Sequence, residues 1–282
     1  MDVLSHSVTA PDGTTLGLHT VGSGPGLVIV HGAMQSALSQ RELALLLSPA
    51  HTVHLLDRRG RGASGAAPAA GTEVEVADLT AVLAATGATD VLGISSGAII
   101  AARTALAGDG IHRLALFEPP LGVGNSLRLD LLPRFDAAMT AGDLPRAMGI
   151  AMKVAEMGPP WMFGMPAPVL TSVSRRMLAS DDAQDVPVHV REMANALTAD
   201  FAVVRENAGT AADFSRITVP TLLVDGTKTR PYLRAAVAAL AAAIPGAHHV
   251  ELAGQSHGVT QNRDQWGRPE LVAPALLEFF AR

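Results

Sequence analysis

Residues 91–100 read VLGISSGAII, two serines side by side between two glycines. The segment leading into them, DVLGI at 90–94, is a short apolar run of the kind that forms a strand buried on both faces. The segment after them, from 96 to about 107, has the spacing of a helix. Gly93-Ile94-Ser95-Ser96-Gly97 therefore fits G-x-S-x-G at a strand-to-helix turn, the setting that a nucleophile elbow requires. The requirement is steric, because the central serine sits on a sharp turn and the residues two before and two after it must be small. That spacing selects Ser95 as the nucleophile and leaves Ser96 to offer its backbone N–H at the helix start. A tight turn with incidental serines is the competing explanation, and the strand-to-helix context weighs against it.

Working outward, the pattern around the elbow repeats. SHSVTA, the turn PDG and TTLGLHTVG alternate as a β-hairpin does. GLVIVHG at 26–32, HTVHLLD at 51–57 and RLALFE at 113–118 read as further strands, with helices predicted near 38–48 and 73–86. From about 120 to 215 the alternation stops, leaving helical patterns separated by prolines. It resumes with VPTLLVDG at 219–226, a helix near 231–243, HHVELAG at 248–254 and a last helix from 269. Strands alternating with helices predict an α/β fold with a mostly parallel, doubly wound sheet. The expected core is 1–119 and 216–282, interrupted by a helical cap at 120–215.

Bulk properties narrow the function. The 282 residues are 48% hydrophobic and 17% charged, with a net charge of −5 that forms no blocks, so neither nucleic acid nor an anionic membrane surface is an expected partner. The absence of cysteine removes disulfides, thiolate metal sites and thiol nucleophiles. The N-terminus lacks the pattern of a signal peptide, and AAVAALAAAI at 235–244 is about half a membrane span. A cytoplasmic protein is the expectation. The sequence leaves open whether it forms a homodimer.

With the elbow in place, the chain resembles the α/β-hydrolase superfamily over nearly its whole length. VIVHGAMQS at 28–36 looks like that family's His-Gly turn after the third strand, and LLDRRGRGASG at 55–65 like the segment after the fourth. The resemblance implies that Ala33, after His31-Gly32, supplies a second oxyanion N–H beside that of Ser96. Asp57 and Arg59 are expected to be structural.

A serine hydroxyl needs a base, and His257 in ELAGQSHGVT is the candidate, placed in the loop after the last strand with glycines nearby. His248 and His249 lie on the strand itself and are expected to be packed or solvent-facing. The acid departs from the common family pattern. Where most relatives carry an aspartate three residues beyond the glycine ending the seventh strand, this chain has Thr229. Asp225, Asp213 and Glu118 are the alternatives. Glu118 is preferred, since it ends a strand next to the elbow, where catalytic groups of parallel sheets gather, and some family members place the acid there.

Eight of the ten methionines fall in the insertion, and MGPPWMFGMPAP at 157–168 concentrates apolar bulk. Two accounts stand level: a lid over a hydrophobic substrate, or an ordinary small helical core. On the first, Met34, Trp161, Met162 and Met165 would touch a small hydrophobic carbonyl substrate. The expected activity is hydrolysis of an ester, lactone or thioester through an acyl-enzyme, with no cofactor and no metal. Carbon–carbon bond hydrolysis or acyl transfer on the same residues is the alternative, and a binding protein without turnover is the third. An aspartate nucleophile, as in haloalkane dehalogenases and the usual epoxide hydrolases, is excluded by the serine.

Overall fold

A computed structural model describes residues 3–66, 71–108, 110–158, 160–183 and 189–282. Pro159 of the methionine-rich stretch and residues 184–188 of the expected cap lie outside them. Eight strands form one sheet: β1 (Leu4–Thr9), β2 (Thr15–Gly22), β3 (Gly26–Val30), β4 (Thr52–Leu56), β5 (Asp90–Ile94), β6 (Arg113–Phe117), β7 (Thr221–Gly226) and β8 (His248–Leu252). Their spatial order is β1-β2-β4-β3-β5-β6-β7-β8. Only β2 runs against its neighbours; every pairing from β4 to β8 is parallel.

The buried strands are apolar at consecutive positions because each feeds two cores. Val28, Val30, Val91 and Leu116 join one cluster; Leu27, Ile29, Leu92 and Phe117 join the other. Helices α2 (Thr72–Thr86), α3 (Ser96–Ala107) and α9 (Pro231–Ala243) cover the first face through residues such as Val82, Ile99 and Val237. Helices α1 (Arg41–Leu47) and α10 (Ala273–Phe280) cover the second through Leu43, Leu47, Leu276 and Phe279. Strand order reverses around β3, with β4 on one side and β5 on the other. The crevice beyond the carboxyl ends of β3 and β5 is where ligands bind in such sheets.

Between β6 and β7 the chain forms α4 (Leu132–Thr140), α5 (Leu144–Val154), α6 (Ala167–Asp181), α7 (Val190–Asn195) and α8 (Leu197–Glu206). These helices have a core of their own, including Leu132, Phe135, Met148, Leu178, Leu197 and Phe201, and Ala33 and Met34 pack against it from the sheet side. Helix α8 also reaches down to the sheet domain, where Glu206 accepts the Thr72 N–H at 2.7 Å and so caps α2, whose own N-cap is Gly71. Among the described residues no helix is long and apolar enough to cross a membrane.

Candidate active site

Ser95 stands between β5 and α3 with φ 55° and ψ −123°, a conformation costly for any residue but glycine. Its N–H donates to Phe117 O at 2.8 Å, and its carbonyl accepts the Ala98 N–H at 2.9 Å. The flanking glycines explain how the turn closes. A Cβ on Gly93 would lie 2.5 Å from Ala98 Cα, and one on Gly97 would lie 2.3 Å from Val30 O. Helix α3 is thereby pressed against the end of β3, and Ser96, its first residue, presents an N–H that the helix itself cannot use.

The loop after β3 is held by side chains on the β4 side. His31 is fully buried; its Nδ1–H donates to Gly32 O at 2.8 Å, and its Nε2 accepts the Arg58 N–H at 3.3 Å. Burial, with the Arg61 and Arg58 cations nearby, pushes its pKa down to about 3, so the ring is neutral as this pattern demands. Gly32 N–H donates to Gln35 Oε1 at 2.8 Å, and Met34 adopts φ 55°. Ala33 is left with an N–H that no acceptor takes among the described residues.

Glu118 is the first residue beyond β6, at φ 47° and fully buried. Its Oε2 accepts His257 Nδ1–H at 2.5 Å. Its Oε1 accepts the Gly226 N–H at 2.9 Å and the Thr229 hydroxyl at 2.5 Å. His257 opens the turn after β8, half-exposed, with its ring stacked on Phe117 at 5.9 Å between centroids. The other two carboxylates are engaged elsewhere. Asp225 takes His249 Nε2 at 2.9 Å, and Asp213 takes Arg103 at 3.0 Å. Thr229, at the position where an aspartate was expected from the family pattern, instead holds the glutamate that contacts His257.

These groups share one cavity of about 480 Å³, walled by Ser95, Ser96, Ala33, Met34 and His257 on the sheet side. Leu127, Val154, Phe201, Val204 and Leu233 supply its apolar wall. Trp161, Met162 and Met165, expected against a substrate, are not brought to it. Lys153 Nζ donates to Met165 O at 2.7 Å, Arg230 lies over the Phe163 ring at 4.8 Å, and Trp161 is 68% exposed. Among the described residues of that stretch, Met157 and Gly158 reach the cavity. Of the insertion's methionines, Met148 packs in the helical core and Met157 faces the cavity.

Asp200 on α8 carried no signal in the sequence. It is buried at the cavity wall, where it accepts Ser96 Oγ–H at 2.9 Å, Arg58 at 2.7 Å and Arg61 at 2.6 Å. Arg58 in turn is bidentate to Glu75, at 3.0 and 2.6 Å. The two arginines hold the Asp200 carboxyl below its ordinary range despite its burial. Asp57 and Arg59 have the structural placements expected of them. Asp57 accepts the Ala37 and Ala63 N–H groups and His19, while Arg59 is bidentate to Asp78. One group of metal-ligand type, Asp181, Asp182 and His189, lies outside the cavity, its carboxylates already taken by His189, Val190 N–H and Arg191.

The sequence pattern of the alpha/beta hydrolase family matches residues 27–275. An alpha/beta hydrolase from Sphaerobacter thermophilus is 34% identical, with a TM-score of 0.79 over 98% of this chain and 100% of that one. A hydrolase from Pseudomonas aeruginosa superposes with a TM-score of 0.74 at 24% identity, over 99% and 98% of the two chains, a likeness of fold. An N-formylmaleamate deformylase from Pseudomonas putida is 37% identical over 105 residues, which span 36% of this chain and 39% of that relative. With an elbow, a His-Gly loop and a strand order of this kind, the chain belongs to the alpha/beta hydrolase family.

Proposed function

We propose that the protein is a cofactor-independent serine hydrolase that opens an ester, lactone or thioester through an acyl-enzyme. The observation that carries this reading is the chain of contacts from Thr229 and Gly226 through Glu118 to His257, ending in a cavity that Ser95 also faces. Ser95 Oγ attacks the carbonyl carbon while His257 Nε2 takes its proton. Glu118 fixes Nδ1–H, which leaves Nε2 free as the base, and its charge stabilises the imidazolium that forms. The N–H groups of Ala33 and Ser96 donate to the oxyanion, each worth a few kcal/mol in comparable sites. His257 then protonates the leaving group, and water activated by the same nitrogen releases the acid and restores the serine.

Hydrolysis of an amide is the second reading, favoured by the name of the deformylase relative. The same groups serve it, with His257 protonating a departing nitrogen instead of an oxygen.

A fluorophosphonate probe, with the modified peptide located by mass, tests the proposal. Label on Ser95, much slower in Glu118→Gln, is the expected result. A folded wild type that takes no label would overturn it and favour a binding protein.

A further inference from the structure

Beyond the reacting groups, the cavity has an uneven charge. Two cations reach it from the turn after β7, Lys228 and Arg230, on either side of Thr229. Neither meets a carboxylate among the described residues. Arg230 donates to Gly158 O and lies over the Phe163 ring, so its position is fixed and its charge is not balanced. The Lys228 ammonium has no partner at all among the described residues. Lys153, the only other lysine of the chain, has its ammonium on Met165 O. Of the acids on the same wall, Asp200 is neutralised by Arg58 and Arg61. Glu156, in the left-handed region at φ 49° just after α5, is the unpaired carboxylate, and it stands on the cap with no ion pair to Lys228.

Position adds to charge. Lys228 N–H donates to Gln255 O at 2.8 Å, two residues before His257, so its backbone is anchored on the histidine side of the cavity and its exposed side chain is free to reach a ligand there. Phe201 and Val204 belong to α8, on the cap. A bound molecule is therefore offered apolar contact from the cap and positive charge from the turn after β7.

We infer that the substrate carries a carboxylate a few atoms from its scissile carbonyl, and that Lys228 binds it. The expected substrate is thus amphipathic and anionic, where composition alone suggested a wholly apolar one. The inference rests on the serine-hydrolase reading, and its test keeps the two apart. It compares kcat/KM within two matched pairs on the full-length protein: p-nitrophenyl butyrate against the p-nitrophenyl monoester of glutaric acid, and phenyl butyrate against meta-carboxyphenyl butyrate. The first pair places the carboxylate on the acyl part, the second on the leaving group.

A preference of about tenfold for the carboxylate member of at least one pair is expected, the size of one charge-assisted hydrogen bond partly open to solvent. The preference should shrink in high salt, collapse toward one in Lys228→Met, survive in Lys228→Arg and grow in Glu156→Gln. Turnover of the neutral esters with no preference, or a preference unchanged in folded Lys228→Met, would overturn the inference and leave the hydrolase. Failure to turn over any of the four would overturn the inference, and fluorophosphonate labelling of Ser95 then decides separately whether the hydrolase reading stands.

Discussion

At the scale of single residues, the site depends on buried groups that stand behind the reacting atoms. Thr229 and Gly226 donate to the carboxylate that positions His257. Thr229→Val removes one of those donors and loosens the hold of Glu118 on the His257 ring. Here kcat should fall roughly tenfold with KM little changed, the worth of a hydrogen bond to a charged group. Glu118→Gln should cost far more, on the order of 10⁴ in kcat. An unaltered kcat in Thr229→Val would make the threonine mere packing. His31 makes a second prediction. Its pKa is depressed to about 3 in the fold against 6.5 unfolded, so its contribution is fully present above 6.5 and is lost as pH falls toward 3. Between pH 7 and pH 5 that loss is about 2 kcal/mol. Urea unfolding of the wild type and His31→Gln at both pH values checks it, the variant showing the shallower loss.

At the scale of elements, the features legible in the sequence are those set by local physics. Strand β5 and helices α3 and α9 fall where apolar runs, the elbow and Pro231 put them, because each rests on neighbours in sequence. Ser95 and Glu118 could be named as candidates for the same reason, each following a buried strand, and His257 from its place in the turn after the last strand, all at the carboxyl edge of the sheet. Of the cavity wall, Met34 was legible beside the elbow, and the cap side was not. Composition marked residues 157–168 as apolar, but it could not reveal that Trp161 of that stretch stays exposed and that Lys153 and Arg230 contact Met165 and Phe163. Nor could spacing reveal that Asp200 meets Arg58, 142 residues away. That contact ties α8 to the elbow helix through Ser96, and it makes a prediction about how the elements hold together. Asp200→Ala leaves Arg58 and Arg61 buried with one acid fewer, at a cost of about 3–5 kcal/mol. Equilibrium unfolding measures it, and a cost below about 1 kcal/mol, the level of a surface pair, would show that the network adds nothing.

At the scale of the molecule, the helical insertion has an apolar core of its own, and α8 bridges it to the sheet, with Leu197 and Phe201 in the insertion's core and Val203 and Val204 in the sheet's. Asp200 with the two arginines, Glu206 on α2, and Arg230 on Gly158 add polar fastenings. Phe135 and Phe201 meet edge to face at 4.8 Å inside the insertion, and Phe201 also faces the cavity. Phe135→Ala should therefore destabilise by about 3–5 kcal/mol, but unevenly, since local opening follows the core that was weakened. Hydrogen exchange is expected to accelerate in α4, α5 and α8 while amides of β3, β5 and β6 keep their protection. The elbow and the Glu118–His257 contact belong to the sheet domain, so fluorophosphonate should still reach Ser95 in this variant. Ester turnover should drop through KM, because the apolar wall is the part that loosens. Uniform acceleration across cap and sheet would mean instead that the two cores melt as one cooperative unit, held together by the arginine–aspartate cluster at their boundary.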